Sequence, residues 1–296
     1  MILTPIFAFG QEAVAVDSGY VEIKKGKLFY KIFGEGEPVL FINNGGGFAS
    51  KNYEIYADLL SKNCMFIMFD QRGTGKSIQL FNGMIRRSWI AKDLEVLRKH
   101  LKLEEWIVFG NSGGGNFASY YASRYPQRTK KLILASSPKI SNNFFESDTQ
   151  RFKVANIDNL SDKEYEIYEK LVKLTDKVEP DQELLGRCRL AMQGRYYVSK
   201  PENYDKAVDW LFKFKFESNS FLQDVNVRKM KHRLSYFHNP VLIIHGQGDF
   251  FNIACPLENE KIFNKVKLSF IEDCGHLIIF DQPEQFVKEF EAFIEG

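Results

Sequence analysis

The chain has 296 residues, enough for one substantial hydrophobic core plus a smaller inserted unit. Its 40 Lys and Arg against 38 Asp and Glu leave a formal charge of +2, so neither nucleic acid nor an anionic membrane is expected as a partner. Apolar residues reach 44%, yet no run is long enough to cross a bilayer. The four cysteines, Cys64, Cys188, Cys255 and Cys274, form no CxxC pair, which argues against a disulfide scaffold or zinc knuckle and suits the reducing cytoplasm.

The N-terminal stretch "MILTPIFAFGQEAVAV" has a short apolar run but no basic residues before it. An ordered arm is expected there, a cleaved export signal being the alternative. Residues 20–33 read as two short strands turning near Gly26, and "PVLFIN" (38–43) as a compact buried strand. "NYEIYADLL" repeats apolar residues at helical spacing, and "CMFIMFD" (64–70) is another buried strand. Then follow an amphipathic helix, "SWIAKDLEVLRKHL", a strand, "EWIVFG", a helix through "GNFASYYASRY", and a strand, "KKLILAS". This alternation predicts an α/β fold with a mostly parallel central sheet flanked by helices.

The rhythm stops near Pro138 and resumes near Pro240. Residues 139–238 hold helical patterns such as "DKEYEIYEKLVKL" and "ENYDKAVDWLFKF" and no convincing strand, so they read as a helical lid set into a core of 1–138 and 239–296. After the insertion come "PVLIIHG" (strand), a short helix around "LENEKIF", "VKLSFIE" (strand) and a terminal helix, "PEQFVKEFEAFI". Aromatic residues make up 15% of the chain; an apolar substrate chamber under the lid would draw on the same Phe and Tyr as the core.

Gly110-Asn111-Ser112-Gly113-Gly114 stands where a strand ends and a helix begins, the context that Gly-x-Ser-x-Gly requires. Small residues at 110 and 114 leave room for neighbouring backbone while Ser112 takes an unfavourable dihedral pair. The helix behind the serine then directs free N–H groups at developing negative charge. A purely structural glycine turn is the competing reading of the five residues alone.

The strand at 38–43 should run beside that at 105–110, bringing the glycines 45–47 next to Ser112. Two N–H donors for a tetrahedral oxygen are then expected from Gly113, after the nucleophile, and from Gly45. A phosphate loop is excluded, because no Gly-Lys-Ser/Thr closes the stretch.

His276, after the last predicted strand, is the expected base among five histidines, and Asp249, after the preceding strand, the expected acid. His245 reads as structural, His100 as a helix-surface residue, and His232 and His238 fall at the insertion boundary. Asp281 is the weaker acid, read instead as a loop or cap residue before Pro283, and Asp273 stands too near His276. No cofactor or metal is called for.

These residues resemble the α/β-hydrolase superfamily, within it the prolyl iminopeptidase branch of peptidase family S33. The resemblance spans nearly the whole chain: the loop at 43–47, "DQRGTGKS" at 70–77, the elbow at 110–114, the insertion, Asp249 and His276. It implies a serine hydrolase with a small-molecule or short-peptide substrate, and the release of N-terminal proline. Three features depart from the branch. Asn43-Asn44-Gly45-Gly46-Gly47 stands for its usual His-Gly-Gly-Pro-Gly; Gly113 replaces a frequent Trp; and 139–237 holds no Trp-x-x-Trp-Glu-like segment to meet an amine. Glu164, Glu166, Glu169, Glu183, Glu202 and Glu217 read as solvated helix residues, and Arg72 as a brace between loops.

An esterase, lactonase or carbon–carbon bond hydrolase using the same residues is the alternative, and a noncatalytic small-ligand-binding protein of this fold is a third. Dehalogenases and epoxide hydrolases are disfavoured, since those relatives carry aspartate at the position of Ser112.

Overall fold

The structure, a computed structural model, describes residues 13–43, 48–80, 85–141, 194–214 and 225–296, with positions 165, 166, 169, 173, 191, 221 and 222. The expectations for the first 12 residues and for most of 142–193 lie outside the described residues. In chain order the strands are β1 (Asp17–Ile23), β2 (Gly26–Phe33), β3 (Glu37–Ile42), β4 (Cys64–Phe69), β5 (Ile78–Gln79), β6 (Ile85–Arg86), β7 (Trp106–Asn111), β8 (Thr129–Ala135), β9 (Phe221–Leu222), β10 (Val241–Gly246) and β11 (Val266–Ile271). The main sheet runs β1-β2-β4-β3-β7-β8-β10-β11, with β5 also on β2. From β4 to β11 every pairing is parallel, whereas β2 pairs antiparallel with β1, β4 and β5.

Parallel strands must be joined by crossovers, so helices cover both faces and the central strands are apolar throughout. All six residues of β7 are buried. Alternate residues nevertheless enter different cores. Leu40, Ile42, Val108, Leu132, Leu134 and Ile243 face one, while Val39, Phe41, Ile107, Phe109, Ile133 and Ile244 face the other, as the two-residue period of a strand dictates.

Seven helices of at least seven residues are described: α1 (Glu54–Leu60), α2 (Arg87–His100), α3 (Gly114–Arg124), α4 (Tyr204–Phe212), α5 (Val227–Leu234), α6 (Ala254–Glu260) and α7 (Pro283–Glu295). The first core takes Leu94 and Leu97 of α2, Phe117 and Tyr121 of α3, and Met230 and Leu234 of α5. The second takes Tyr56 and Leu60 of α1 and Phe286, Phe290 and Ile294 of α7. In α7 these three fall at i, i+4 and i+8 behind Pro283 in the first turn, so each buries on one stripe at about 1.5–3 kcal/mol.

Two elements differ from the sequence reading. Phe221–Leu222, inside the interval read as a helical insertion, forms a two-residue parallel pairing with Ile85–Arg86 outside the main sheet. A strand so short leaves no periodicity to read. The helix expected around 257–263 runs Ala254–Glu260, with the Asn252 side chain accepting the Ala254 N–H at 3.0 Å ahead of its Ile253 N-cap. No helix among the described residues is long and apolar enough to cross a membrane.

Candidate active site

Strand order places the site before any side chain does. From β3 the chain passes through α1, in the second core, to β4 on one side. From β7 it passes through α3, in the first core, to β8 on the other side. The chain therefore diverges between β3 and β7, and a crevice opens beyond their carboxyl ends. Ile42 pairs with Gly110 there, as the sequence reading expects.

Ser112 occupies this crevice with φ +51°, a left-handed conformation for a residue with a side chain. Its N–H donates to Ala135 O at 2.9 Å and its carbonyl accepts from Gly115 N at 2.9 Å, fixing the turn from both sides. The glycines of the elbow are sterically required. A Cβ on Gly110 would stand 2.6 Å from Gly114 O, and one on Gly114 would stand 2.1 Å from Ile42 O. Gly113 is the N-cap of α3, so its N–H lies ahead of the helical ladder. Gly45, the other expected donor, lies outside the described residues.

His276 Nε2 is 3.0 Å from Ser112 Oγ, and Nδ1 is 3.0 Å from both carboxylate oxygens of Asp249. An ionised carboxylate only accepts, so the proton belongs on Nδ1 and the Nε2 lone pair faces the hydroxyl. All three are buried: Ser112 is 9% exposed, Asp249 6% and His276 3%. Burial alone would raise the Asp249 carboxyl. The imidazoles of His276 and His245, a hydrogen bond from His276 and the Phe251 N–H at 2.8 Å outweigh it, and the carboxyl sits below its ordinary range.

Aromatic rings close around the imidazole. Phe250 stands 4.2 Å away between ring centres, Phe251 5.2 Å and Tyr197 5.3 Å. In front of Ser112 is a cavity of about 50 Å³ lined by Phe48, Tyr53, Trp210, Leu211, Phe214 and Leu277, besides Asn111, Tyr197 and His276. Trp210 and Phe214 meet edge to face at 4.6 Å, and each also meets Tyr53. No carboxylate or cation belongs to this wall among the described residues. The expectation of an apolar chamber fits these rings, but their individual identities left no sequence signal beyond abundance.

The remaining candidates fall elsewhere. His245 Nε2 donates to Phe251 O at 2.8 Å and stands 3.8 Å from Asp249, behind the acid rather than beside the serine. Asp273 is an exposed turn residue with φ +48°, and Asp281 bonds backbone groups instead of the imidazole. Glu166, Glu169 and Glu202 are exposed; Glu164, Glu183 and Glu217 lie outside the described residues. Arg72 makes a bidentate pair with Asp93 at 2.8 and 2.7 Å and donates to Lys24 O at 3.2 Å, the brace expected of it. A larger cleft of about 190 Å³ beside that pair, lined by Lys24, Lys25, Trp89 and Lys92, holds no nucleophile next to a base among the described residues.

The chain belongs to the alpha/beta hydrolase fold family, matching it over residues 37–283. Fold and buried polar network together support a serine hydrolase. Among individual proteins it is similar to the proline iminopeptidase of Clostridium botulinum, at 26% identity over 95% of this chain and 96% of that one. Its likeness to the proline iminopeptidase of Clostridioides difficile is 24% over 92% and 96%. Among solved structures, an alpha/beta fold family hydrolase from Bacillus anthracis superposes with a TM-score of 0.69 at 16% identity, covering 93% of this chain and 98% of that one. A thermophilic esterase from Thermogutta terrifontis superposes at 0.64 with 21% identity, covering 94% and 98%.

Proposed function

We propose that this protein hydrolyses a small ester or amide with a compact apolar acyl group, through an acyl-enzyme on Ser112. The observation that carries the reading is the unbroken line of 3.0 Å contacts from Asp249 through His276 to Ser112 Oγ, buried beside an aromatic cavity. Ser112 Oγ attacks the carbonyl carbon as Nε2 of His276 takes its proton, and Asp249 stabilises the imidazolium so formed. The carbonyl oxygen becomes an anion held by the N–H groups of Gly113 and Gly45, a donor of this kind contributing about 2.7–4 kcal/mol. His276 then protonates the leaving alcohol or amine. It next deprotonates a water that attacks the acyl carbon, and Ser112 leaves with that proton. Residues 139–238 serve as a lid whose leg supplies Tyr197, Trp210, Leu211 and Phe214 to the wall.

Cavity size supports a small acyl group. Its ~50 Å³ is a third of the ~150 Å³ apolar cavity that accommodates benzene. Release of an N-terminal proline is the second reading, favoured by near full-length similarity to proteins named proline iminopeptidase. It requires a carboxylate to meet the free amine, which the described wall lacks. A fluorogenic panel of proline, alanine and leucine amides beside short and medium acyl esters separates the two. Preference for short esters supports the first reading. Preference for proline amide, lost when its amine is acylated, would replace it with the second.

A further inference from the structure

Asp281 closes a single helical turn, Ile278–Asp281, five residues beyond His276. Its side chain is buried, yet no cation reaches its carboxylate among the described residues; Lys200 Nζ goes to its backbone oxygen at 2.7 Å. The charge is met instead by converging N–H groups. Oδ2 accepts from Gly275 N at 2.8 Å and from Ser199 N at 2.6 Å, and Oδ1 accepts from Asn203 Nδ2 at 3.0 Å, with Lys200 N at 3.4 Å. Bonds to an ionised acceptor are roughly twice as strong as neutral ones.

These donors come from two different parts of the site. Gly275 precedes the proposed base. The segment from Tyr197 to Asn203 carries the Tyr197 ring onto the imidazole and leads into α4, which presents Trp210 and Leu211 to the cavity. The two parts touch backbone to backbone: Leu277 N donates to Tyr197 O at 2.7 Å, and a Cβ on Gly275 would stand 2.7 Å from that same oxygen. On the opposite side, Ser136 Oγ donates to His276 O at 2.8 Å.

We infer that Asp281 is a positioning residue that locks the histidine loop to the leg carrying the acyl-side wall, so that base and wall hold one register. The inference rests on the proposed role of His276. One carboxylate oxygen spans the junction, taking an N–H from each side, and no other side chain among the described residues does so. An asparagine at 281 keeps the volume but must turn an N–H₂ group toward donors on one side or the other.

The test measures the rate at which a fluorophosphonate labels Ser112. The phosphorus–oxygen bond forms, fluoride leaves, and His276 takes the serine proton. In Asp281→Asn we expect roughly tenfold or greater slowing, from a base displaced by a fraction of an ångström. A fall in kcat on the best panel substrate with little change in KM should accompany it. So should a shifted or broadened downfield proton resonance of the His276–Asp249 bond. A folded D281N that labels at the parent rate with an unaltered resonance overturns the inference. If D281N does not fold, Asp281→Glu carries the test, since it keeps the charge and displaces the oxygen that Gly275 and Ser199 share. Slower labelling supports the lock and parental labelling overturns it. A parent that is not labelled at Ser112, with a resonance that still shifts in D281N, sinks the hydrolase reading and keeps the lock.

Discussion

His276 Nδ1 lies at equal distance, 3.0 Å, from the two carboxylate oxygens of Asp249, and that carboxylate's side chain is fully shielded from solvent. A symmetric acceptor fixes the tautomer and the plane of the ring together. Asp249→Asn presents an amide nitrogen to the same N–H and favours the other tautomer, turning a protonated nitrogen toward Ser112. We expect kcat to fall about 10⁴-fold, the scale of that change in a comparable triad.

The same variant has a stability signature. Although burial opposes it, the neighbouring imidazoles and N–H donors hold the Asp249 carboxyl below its usual value. The folded state therefore gains stability that is complete above the unfolded value of about 3.9 and is lost as pH falls through the lowered folded value. The difference in Tm between parent and D249N should shrink as pH is lowered from about 6 to about 3. A difference that widens on acidification would contradict this assignment of charge.

At the elbow, a side chain on Gly114 would meet the Ile42 and Asn43 carbonyl oxygens at 2.1 and 2.2 Å, and these belong to backbone that cannot swing aside. Gly114→Ala should cost about 1–3 kcal/mol by forcing helix α3 away from β3. Because α3 carries the Gly113 N–H, labelling of Ser112 should slow even at temperatures where the variant is fully folded. Parental labelling would show that the elbow tolerates the shift.

Arg72 and Asp93 form a buried ion pair that ties the segment after β4 to helix α2. Desolvation raises the Asp93 carboxyl even though the Arg72 hydrogen bonds and charge pull the other way, so the pair gains less from its attraction than its geometry suggests. Arg72→Ala leaves an uncompensated carboxylate and should cost about 3–5 kcal/mol, whereas R72M/D93L should cost much less than that single change. Denaturant unfolding of the two variants checks it. Equal losses would show that the ion pair itself carries the stability.

Trp210 sets one wall of the cavity, edge to face with both Phe214 and Tyr53. Trp210→Ala should open the acyl side and move the kcat/KM preference toward longer chains. Each methylene newly accommodated is worth about 1–3 kcal/mol, or roughly 10–200-fold in relative rate. An unchanged chain-length profile would place the acyl group elsewhere.

Much of this was legible in residues with a steric or local signature. Gly110 and Gly114 betray themselves because backbone occupies the space of their side chains, and Ser112, Asp249 and His276 because each follows a strand of the same parallel sheet. Asp281 was not legible as a lock. Its partners Ser199 and Asn203 lie about eighty residues away, and backbone N–H groups have no letter in a sequence. The aromatic wall was visible only as an excess of Phe and Tyr, since Phe48, Tyr53 and Phe214 converge from separate elements without a shared spacing. The β6–β9 pairing was lost for the opposite reason: two residues are too few to show a period.

The central claim is that Ser112 Oγ becomes covalently acylated during turnover. Mass spectrometry of the protein quenched in acid with its best panel ester should show one acyl mass increment, mapped by fragmentation to Ser112 and absent from a folded Ser112→Ala variant. Turnover by S112A at the parent rate, or an acyl group on any other residue in the active parent, would contradict the account.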